Sequence, residues 1–245
     1  MKSVFFTLCL MLALGWAVQL HAQDDSPQLR RIIDAYQRTY SGANAGDRLS
    51  SVIIKGTQTQ GEVEYDFVLR KKEPNSIRFR LSNDSASVIC GYNGAMAWKR
   101  IERDGKVQID ELSDGELRNL QREANFQGPL LGYSQGRDGH QIQLMGTSVV
   151  SGRTAYKIRV KEPGSLVAVY YLGTDDHYLL RRELLDEGGT VALTSDYRDY
   201  RVVNGFPFSF NVVNTLGDEQ LSVTAIDSVS VNPGQLNFYF EKPNY

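Results

Sequence analysis

The stretch GEVEYDFVLRKKEPNSIRFRL, residues 61–81, decides the fold of this chain. Its apolar side chains recur at every second position, at Val63, Tyr65, Phe67 and Leu69, and charged side chains stand between them. After a proline-containing turn, the same alternation resumes. A period of two is typical of a β-strand with one face toward a core and the other toward water. The stretch therefore predicts two antiparallel strands joined by a tight turn.

Strand patterns of this kind return through most of the chain, separated by turn-forming clusters of Gly, Asn and Asp. They are found at residues 142–144, 156–160, 167–173, 178–185, 190–203, 206–213 and 221–231. Roughly ten strands follow in chain order with few helices among them. This order predicts a mainly β protein with one large antiparallel sheet, strongly curved or closed.

A short helix precedes the strands, over residues 27–43. Ser26 is a helix-capping residue, Pro27 suits the first helical position, and Gly42 is a plausible end. The apolar side chains between them recur at helical spacing: Leu29, Ile32, Ile33 and Tyr36.

A second helical segment interrupts the strands at residues 113–133. Ser113 and Glu116 have the spacing of a capping box, in which each residue bonds the backbone of the other. The segment is either a connector across the rim of the sheet or a lid over its apolar face. Periodicity alone leaves both open.

The N-terminal residues 1–22 have the pattern of a secretory signal peptide. Lys2 precedes about fifteen apolar residues, and Ala22 is a suitable cleavage residue. An uncleaved anchor is the alternative, but it needs about 20 apolar residues. The cysteine that lipidation requires is absent near Ala22. We therefore expect an exported, periplasmic protein with one mature domain over residues 23–245.

Charge and cysteine content restrict the function classes. Without residues 1–22, 26 basic and 29 acidic side chains leave a net charge of −3. Nucleic-acid binding calls for a basic excess, so it is excluded. Cys90 is the single cysteine outside the signal peptide, so we expect no internal disulfide.

The motif GYSQG, residues 132–136, matches the G-x-S-x-G nucleophile elbow, and Asp138 and His140 follow it. An elbow needs a strand before Ser134 and a helix after it, and glycines and a proline oppose both. The two partners also lie within six residues of the serine, whereas such hydrolases supply them from separate loops. We interpret GYSQG as a turn.

Metal chemistry has equally little support. His140 and His177 are far apart, and neither belongs to a cluster with metal-ligand spacing. The sequence TDDHY, residues 174–178, lies between two strand patterns and predicts a solvated turn. We expect no metal, no cofactor and no catalysis.

The order of the motifs, more than any one of them, resembles the LolA/LolB-like family of periplasmic lipoprotein carriers and receptors, including outer membrane lipoprotein-sorting proteins. The likeness spans residues 27–245. Its pieces, beside the opening helix, are residues 61–81, 88–101, 124–133, 140–160, 170–183, 195–210 and 240–243.

The resemblance implies a fold and a function. The fold is a single curved antiparallel sheet forming an incomplete, half-open β-barrel, with an N-terminal helix and a mid-chain helical lid. The function is to carry or receive lipid-modified proteins, or lipid, in an apolar cavity between sheet and helices. The implied partners are acyl lipid or lipoprotein cargo and an inner- or outer-membrane receptor, and the implied state is a monomer.

One position departs from the family. Its best-known carriers have an arginine before the proline of the first strand turn, and that arginine holds the lid closed. Here Glu73 precedes Pro74. Arg70, Arg78 or Arg80 are the candidates to replace it.

Twelve residues are candidates for lining the cavity; for each, an ordinary core role is the alternative. We expect the sheet to contribute Tyr65, Phe67, Leu69, Phe79, Met96, Trp98, Tyr170 and Leu172. We expect the helical segment to contribute Leu117, Leu120, Phe126 and Leu130.

The sequence is compatible with three function classes. The first is a lipid or lipoprotein carrier. The second is a sensing or protein-binding module on the same half-barrel, which transports nothing. The third, an exported hydrolase, depends on Ser134 alone.

Overall fold

A computed structural model describes residues 26–42, 48–133, 139–163 and 166–243. The predicted signal peptide lies outside these residues. The helices are α1 (Pro27–Thr39), α2 (Asp114–Ala124) and α3 (Gly128–Leu131), and a 3₁₀ turn spans Asn237–Phe240. The strands are β1 (Ser51–Gln60), β2 (Val63–Lys72), β3 (Ser76–Ser82), β4 (Ala86–Tyr92), β5 (Ala97–Arg103), β6 (Lys106–Asp110), β7 (Gln141–Val150), β8 (Arg153–Lys161), β9 (Val167–Gly173), β10 (Leu179–Leu185), β11 (Val191–Val203), β12 (Phe206–Leu216) and β13 (Glu219–Val231).

These strands form one 13-stranded antiparallel sheet in the order β6-β5-β4-β3-β2-β1-β13-β12-β11-β10-β9-β8-β7. Neighbours in the sheet are neighbours in the chain, except where β1 pairs with β13. The Asn232 side chain secures this seam, because its Oδ1 accepts from the backbone N–H of Ser50 at 2.9 Å and of Ser51 at 3.1 Å. The sheet is open, with β6 and β7 as its edges, which confirms the predicted fold class.

The estimate of roughly ten strands was too low, because the edge β4–β6 carries little alternation. In β4 the last four residues, from Ile89 to Tyr92, are all buried, so apolar and polar positions do not alternate. Strand β6 has five residues, of which four are exposed. Neither burial pattern is that of a strand with one face toward the core and the other toward water.

Local signals at the helix starts are confirmed. The Ser26 side chain accepts from the Leu29 N–H at 3.2 Å, and α1 buries Leu29, Ile32 and Ile33. It ends at Thr39, before the expected Gly42.

The capping box of α2 is formed as predicted. The Ser113 hydroxyl accepts from the Glu116 N–H at 3.3 Å, and Glu116 accepts from the Ser113 N–H at 2.8 Å. The helix buries Leu120 and Ala124 against β3 and β4, so it lies over the face of the sheet.

The C-terminal segment packs on the face of β2–β5 opposite α2. Phe240 is 1% exposed, and its carbonyl accepts from the Trp98 indole N–H at 3.0 Å. Arg78 donates to the Tyr239 carbonyl, and Lys72 donates to the Gln235 carbonyl. Both faces of this end of the sheet are therefore covered.

Within the described ranges, no helix combines the length and apolar character needed to cross a membrane.

Candidate functional site

The helices cover two separate flanks of one face of the sheet, here called the helix-covered face. Helices α1 and α3 pack on one flank, where they bury Leu29, Ile32, Ile33, Leu130, Ile142, Ile158, Val160, Ala168, Tyr170 and Leu172. Helix α2 packs on the other flank, where it buries Ile77, Cys90, Tyr92, Leu120 and Ala124. The two flanks lie at opposite ends of the strand order.

The sheet curls around α2. Strands β2 and β10 are five strand spacings apart, or about 24 Å on a flat sheet. Yet Glu123 of α2 lies within electrostatic reach of Lys71 on β2 and forms an ion pair with Arg182 on β10 at 2.8 Å. The middle strands therefore form the floor of a hollow between the covered flanks.

Most of the predicted cavity residues lie on the helix-covered face. Leu69, Phe79 and Leu120 belong to the α2 flank, and Leu130, Tyr170 and Leu172 belong to the α1 flank. Tyr65 and Phe67 are half-buried on β2 and share this face with Leu69. Phe126 lies under the Lys71 ammonium, 5.7 Å from ring centroid to Nζ, and Leu117 is half-buried on α2.

Trp98 and Met96 lie elsewhere, contrary to expectation. Trp98 is buried on the opposite face, against Gly91 and under the C-terminal segment. Met96 is 55% exposed in the turn before β5. Ala97 packs in the α2 flank instead. The expectation failed because both faces of β5 are covered, so side-chain size does not identify the face under the helix.

The floor of the hollow is half-exposed and largely apolar near the seam. None of the three hydrophobic clusters in the described part of the chain includes a residue from β1, β11, β12 or β13. Cross-strand pairing nevertheless brings half-buried apolar residues of this face together at Ile54, Phe67, Val212 and Ile226.

A track of hydrogen-bonded polar side chains crosses the same floor. Ser195 donates to Asn214 at 2.7 Å, Asn214 donates to Ser222 at 3.0 Å, and Gln58 donates to Thr224 at 3.2 Å. Ser195, Ser222 and Thr224 are buried. Buried polar groups are tolerated when they bond one another. This track was not predicted, because single polar residues in strands resemble solvent-facing positions.

A charged group lies where the floor meets α2. The Arg182–Glu123 ion pair connects β10 to the helix, and Lys71 approaches from β2. Burial alone raises the pKa of Glu123, but the charges of Arg182 and Lys71 outweigh it and leave this pKa below its ordinary value. Burial lowers the pKa of Lys71, and Arg182 adds to that effect while Glu123 opposes it.

Solved structures with the same architecture are known. A DUF1329 family protein from Desulfovibrio piger has a TM-score of 0.61 and 11% identity over 87% of this chain and 97% of its own. A LolA superfamily protein from Nitrosomonas europaea has a TM-score of 0.58 and 12% identity, with the same coverage of both chains. A domain from Vibrio parahaemolyticus, named for outer membrane lipoprotein sorting, has a TM-score of 0.57 and 8% identity over 86% of this chain and 94% of its own.

This chain has the LolA-like fold. No protein-family model and no curated protein matches the sequence. At the identities above, the likeness establishes the fold alone.

The arginine lock expected of a LolA-like carrier is not provided by the candidate residues. Glu73 pairs with Arg48 at 2.8 Å. Arg70, Arg78 and Arg80 all point to the face opposite the helices, since they alternate with Leu69 and Phe79. Instead, α2 is held by the Arg182–Glu123 pair and by Arg122, whose Nε lies 3.1 Å from Glu162.

Several tyrosines lie close together near the C-terminal end of α1 and were not predicted as site residues. Burial raises the pKa of Tyr40 to about 12, and burial also raises the pKa values of Tyr36, Tyr197 and Tyr200. Tyr200 stacks on Tyr178, with ring centroids 4.4 Å apart. Tyr36, Tyr40, Tyr197 and Tyr200 are therefore neutral hydrogen-bonding groups around neutral pH.

The structure was also compared with the catalytic motif GYSQG and the candidate metal motif TDDHY. Residues 134–138, which include Ser134 and Asp138, lie outside the described residues. Residues 174–176 form the turn predicted at TDDHY, and His177, directly after it, adopts a positive φ of 60°. Within the described part of the chain, no group of three His, Cys, Asp or Glu residues is arranged to hold a metal ion.

Proposed function

We propose that this protein binds acyl lipid or lipid-modified protein in the hollow on its helix-covered face and carries it without catalysis. The proposal rests on one observation above all. Helices cover the two flanks of this face, while the apolar floor between them, from Phe67 to Val212, stays half-exposed. A floor of this kind is a surface for an apolar ligand, since a sheet facing only its own core would bury these side chains.

The energetics suit an acyl chain. Each buried CH₂ contributes about 0.8 kcal/mol, so roughly ten methylenes supply about 8 kcal/mol before the costs of binding. Because association costs must be subtracted from this gross free energy, about micromolar affinity is its upper limit for a chain of that length. Apolar surface is thus sufficient to bind an acyl chain, and binding needs no reactive group.

The setting we propose is the periplasm. The signal-peptide pattern at residues 1–22 supports export. Two of the structural neighbours are named for lipoprotein sorting or the LolA superfamily. We therefore propose outer membrane lipoprotein sorting as the process, with a monomer that meets a receptor at the inner or outer membrane.

The direct test is native mass spectrometry of the protein exported to a bacterial periplasm, followed by organic extraction. We expect stoichiometric acyl lipid or lipopeptide. A mass equal to that of the polypeptide alone, with no lipid taken up on titration, would overturn the proposal.

A charge placed on the floor tests the location. Phe67→Arg should lower acyl-ligand affinity at least tenfold, because it puts a cation among the methylenes. Ala225→Arg is the matched control, since Ala225 is exposed on the opposite face of the neighbouring strands. Equal affinities of the two folded variants would place the ligand elsewhere. Trp98 is no probe of this site, because it lies on the other face.

A carrier and a sensing module differ in how they behave once the ligand is bound. A carrier should release a fluorescent acyl ligand to acceptor vesicles or to a second protein within minutes. A sensing or protein-binding module should retain the ligand and change its affinity for a fixed partner. Retention of ligand in the presence of excess acceptor would favour the second class.

A further inference from the structure

We propose that the hollow contains a site for one anionic group, a carboxylate or a phosphate, between Lys71 and Arg182. The cargo is then an acidic acyl lipid whose head lies beside α2 and whose chain lies on the floor near the seam. This inference rests on the proposed function and names the chemical class of its ligand.

The site is formed by residues that are distant in the chain. Lys71 comes from β2, Arg182 from β10, and Glu123 from α2 above them. Tyr170 and Tyr197 lie on the strands flanking β10, within electrostatic reach of Arg182. Two cations thus face one carboxylate at the point where the curled sheet meets the helix.

Both cations have donors without an acceptor. The Arg182 Nε is buried and has no hydrogen-bond partner, although the same guanidinium bonds Glu123 through its terminal nitrogen. Among the described residues, Lys71 Nζ contacts the ring of Phe126 and no acceptor. Because the buried Arg182 Nε is costly without an acceptor, an oxygen anion that bonds it and also reaches the Lys71 ammonium would be stabilised.

The neighbouring charges leave a positive excess. Arg122 and Glu162 form the adjacent ion pair, and their side chains are 12% and 13% exposed. One acceptor atom of Glu162, Oε1, also lacks a donor. Together with Lys71, Glu123 and Arg182, this gives three cations and two carboxylates. One added negative charge would neutralise the group.

The group is accessible from the hollow. The Glu123 side chain is 45% exposed, yet burial is the largest single influence on its pKa. Solvent therefore reaches this carboxylate, although α2, β2 and β10 meet around it. Ser195 pairs with Arg182 across the strands and begins the polar track. That track offers hydrogen bonds to the hydroxyl groups of a lipid head.

The experiment compares three ligands with the same acyl chain, using the full mature protein stripped of lipid. They are palmitate, a carboxylate; palmitoyl lysophosphatidylglycerol, a phosphodiester; and monopalmitoylglycerol, which is uncharged. We expect at least one anion to bind at least tenfold more tightly than the uncharged ester. The preferred anion identifies the source as a free fatty acid or a phospholipid head.

Lys71→Met assigns the preference to this site. The variant should keep its affinity for monopalmitoylglycerol within twofold and lose most of its preference for the anion. Its melting temperature should change little, because Lys71 is half-buried and its ammonium donates to no acceptor among the described residues. Lys55→Met is the matched control, since Lys55 is exposed on the opposite face. It removes the same charge and should leave all three affinities unchanged.

Two outcomes would overturn the inference, and they are distinguishable. If all three ligands bind equally, or if Lys55→Met and Lys71→Met have the same effect, the anion site is wrong and the acyl cavity stands. If none of the three ligands binds the wild-type protein, the proposed function fails, and the anion site fails with it.

Discussion

At the scale of single residues, the cross-strand partner of Gly91 determines which residue type this position can hold. It pairs directly with Trp98, and a Cβ at Gly91 would overlap the indole ring. The backbone of β4 is thus the surface on which the buried tryptophan lies. Glycine is needed at position 91 for a steric reason, because the indole ring of Trp98 occupies the space that a side chain at this position would fill.

Gly91→Ala should therefore destabilise the protein by about 1–3 kcal/mol, as overpacking of a core does. The measurement is urea unfolding followed by far-UV circular dichroism. Gly115→Ala is the control, because a Cβ there meets no atom within 4 Å in the first turn of α2. That change should stabilise by about 0.5 kcal/mol. A loss of equal size in both variants would contradict the steric role of Gly91.

At the scale of the element, α2 is a helix whose start is strongly determined by its own sequence. Glu116 accepts from the Ser113 N–H at 2.8 Å and from Lys99 at 2.9 Å. The backbone hydrogen bond is the larger influence and, with the Lys99 contact, lowers the pKa of Glu116 to about 2. Its charge thus helps hold the helix that covers the hollow.

Stability should depend on this charge in a defined pH range. Because the folded pKa is lowered, the contribution is fully present above the ordinary value of 4.5 and is lost as the pH falls through about 2. Glu116→Gln keeps an acceptor for the capping box but removes the charge. Since the side chain is 48% exposed, solvent screening limits the loss at pH 7 to roughly 1 kcal/mol.

The measurement is the unfolding free energy of both proteins in urea at pH 7, pH 4 and pH 2. The difference between wild type and Glu116→Gln should shrink on acidification and be nearly absent at pH 2. A difference that is constant over this range would mean that the charge of Glu116 does not stabilise α2.

At the scale of the whole molecule, two sets of contacts join parts of the chain that are far apart in the sequence. Strand β13 pairs with β1, and the segment after it crosses the outer face of β2–β5 to bury Phe240 against Trp98. Gln235 supports the crossing by donating to the carbonyls of Val52 and Lys71. The α2 flank of the sheet is thus held on its opposite face by the C-terminal segment.

Phe240→Ala should destabilise the whole sheet by about 3–5 kcal/mol, because it leaves a cavity in a fully buried site. Phe238→Ala, two residues earlier, should cost about 0.5 kcal/mol or less, since Phe238 is 58% exposed. In the expected mature chain, residues 23–245, Trp98 is the single tryptophan, and its emission should shift to the red only in Phe240→Ala. Equal stability of the two variants would show that the C-terminal segment does not dock.

By itself, the sequence determined the features that arise between near neighbours. Alternation in β2 and β3, the Ser26 and Ser113 caps, and the succession of hairpins were all predicted because each depends on a few consecutive residues. The candidate residues on β2 and β9 share the helix-covered face for the same reason.

Only the tertiary structure decided which face is covered and what meets across it. Alternation sorts side chains onto two faces but says nothing about which face a helix covers, so Trp98 was assigned to the wrong side. Lys71, Glu123 and Arg182 meet because a 13-stranded sheet curls until β2 and β10 approach one helix. Sheet curvature arises from twist summed over many strands, so it cannot be predicted from the sequence of any single strand.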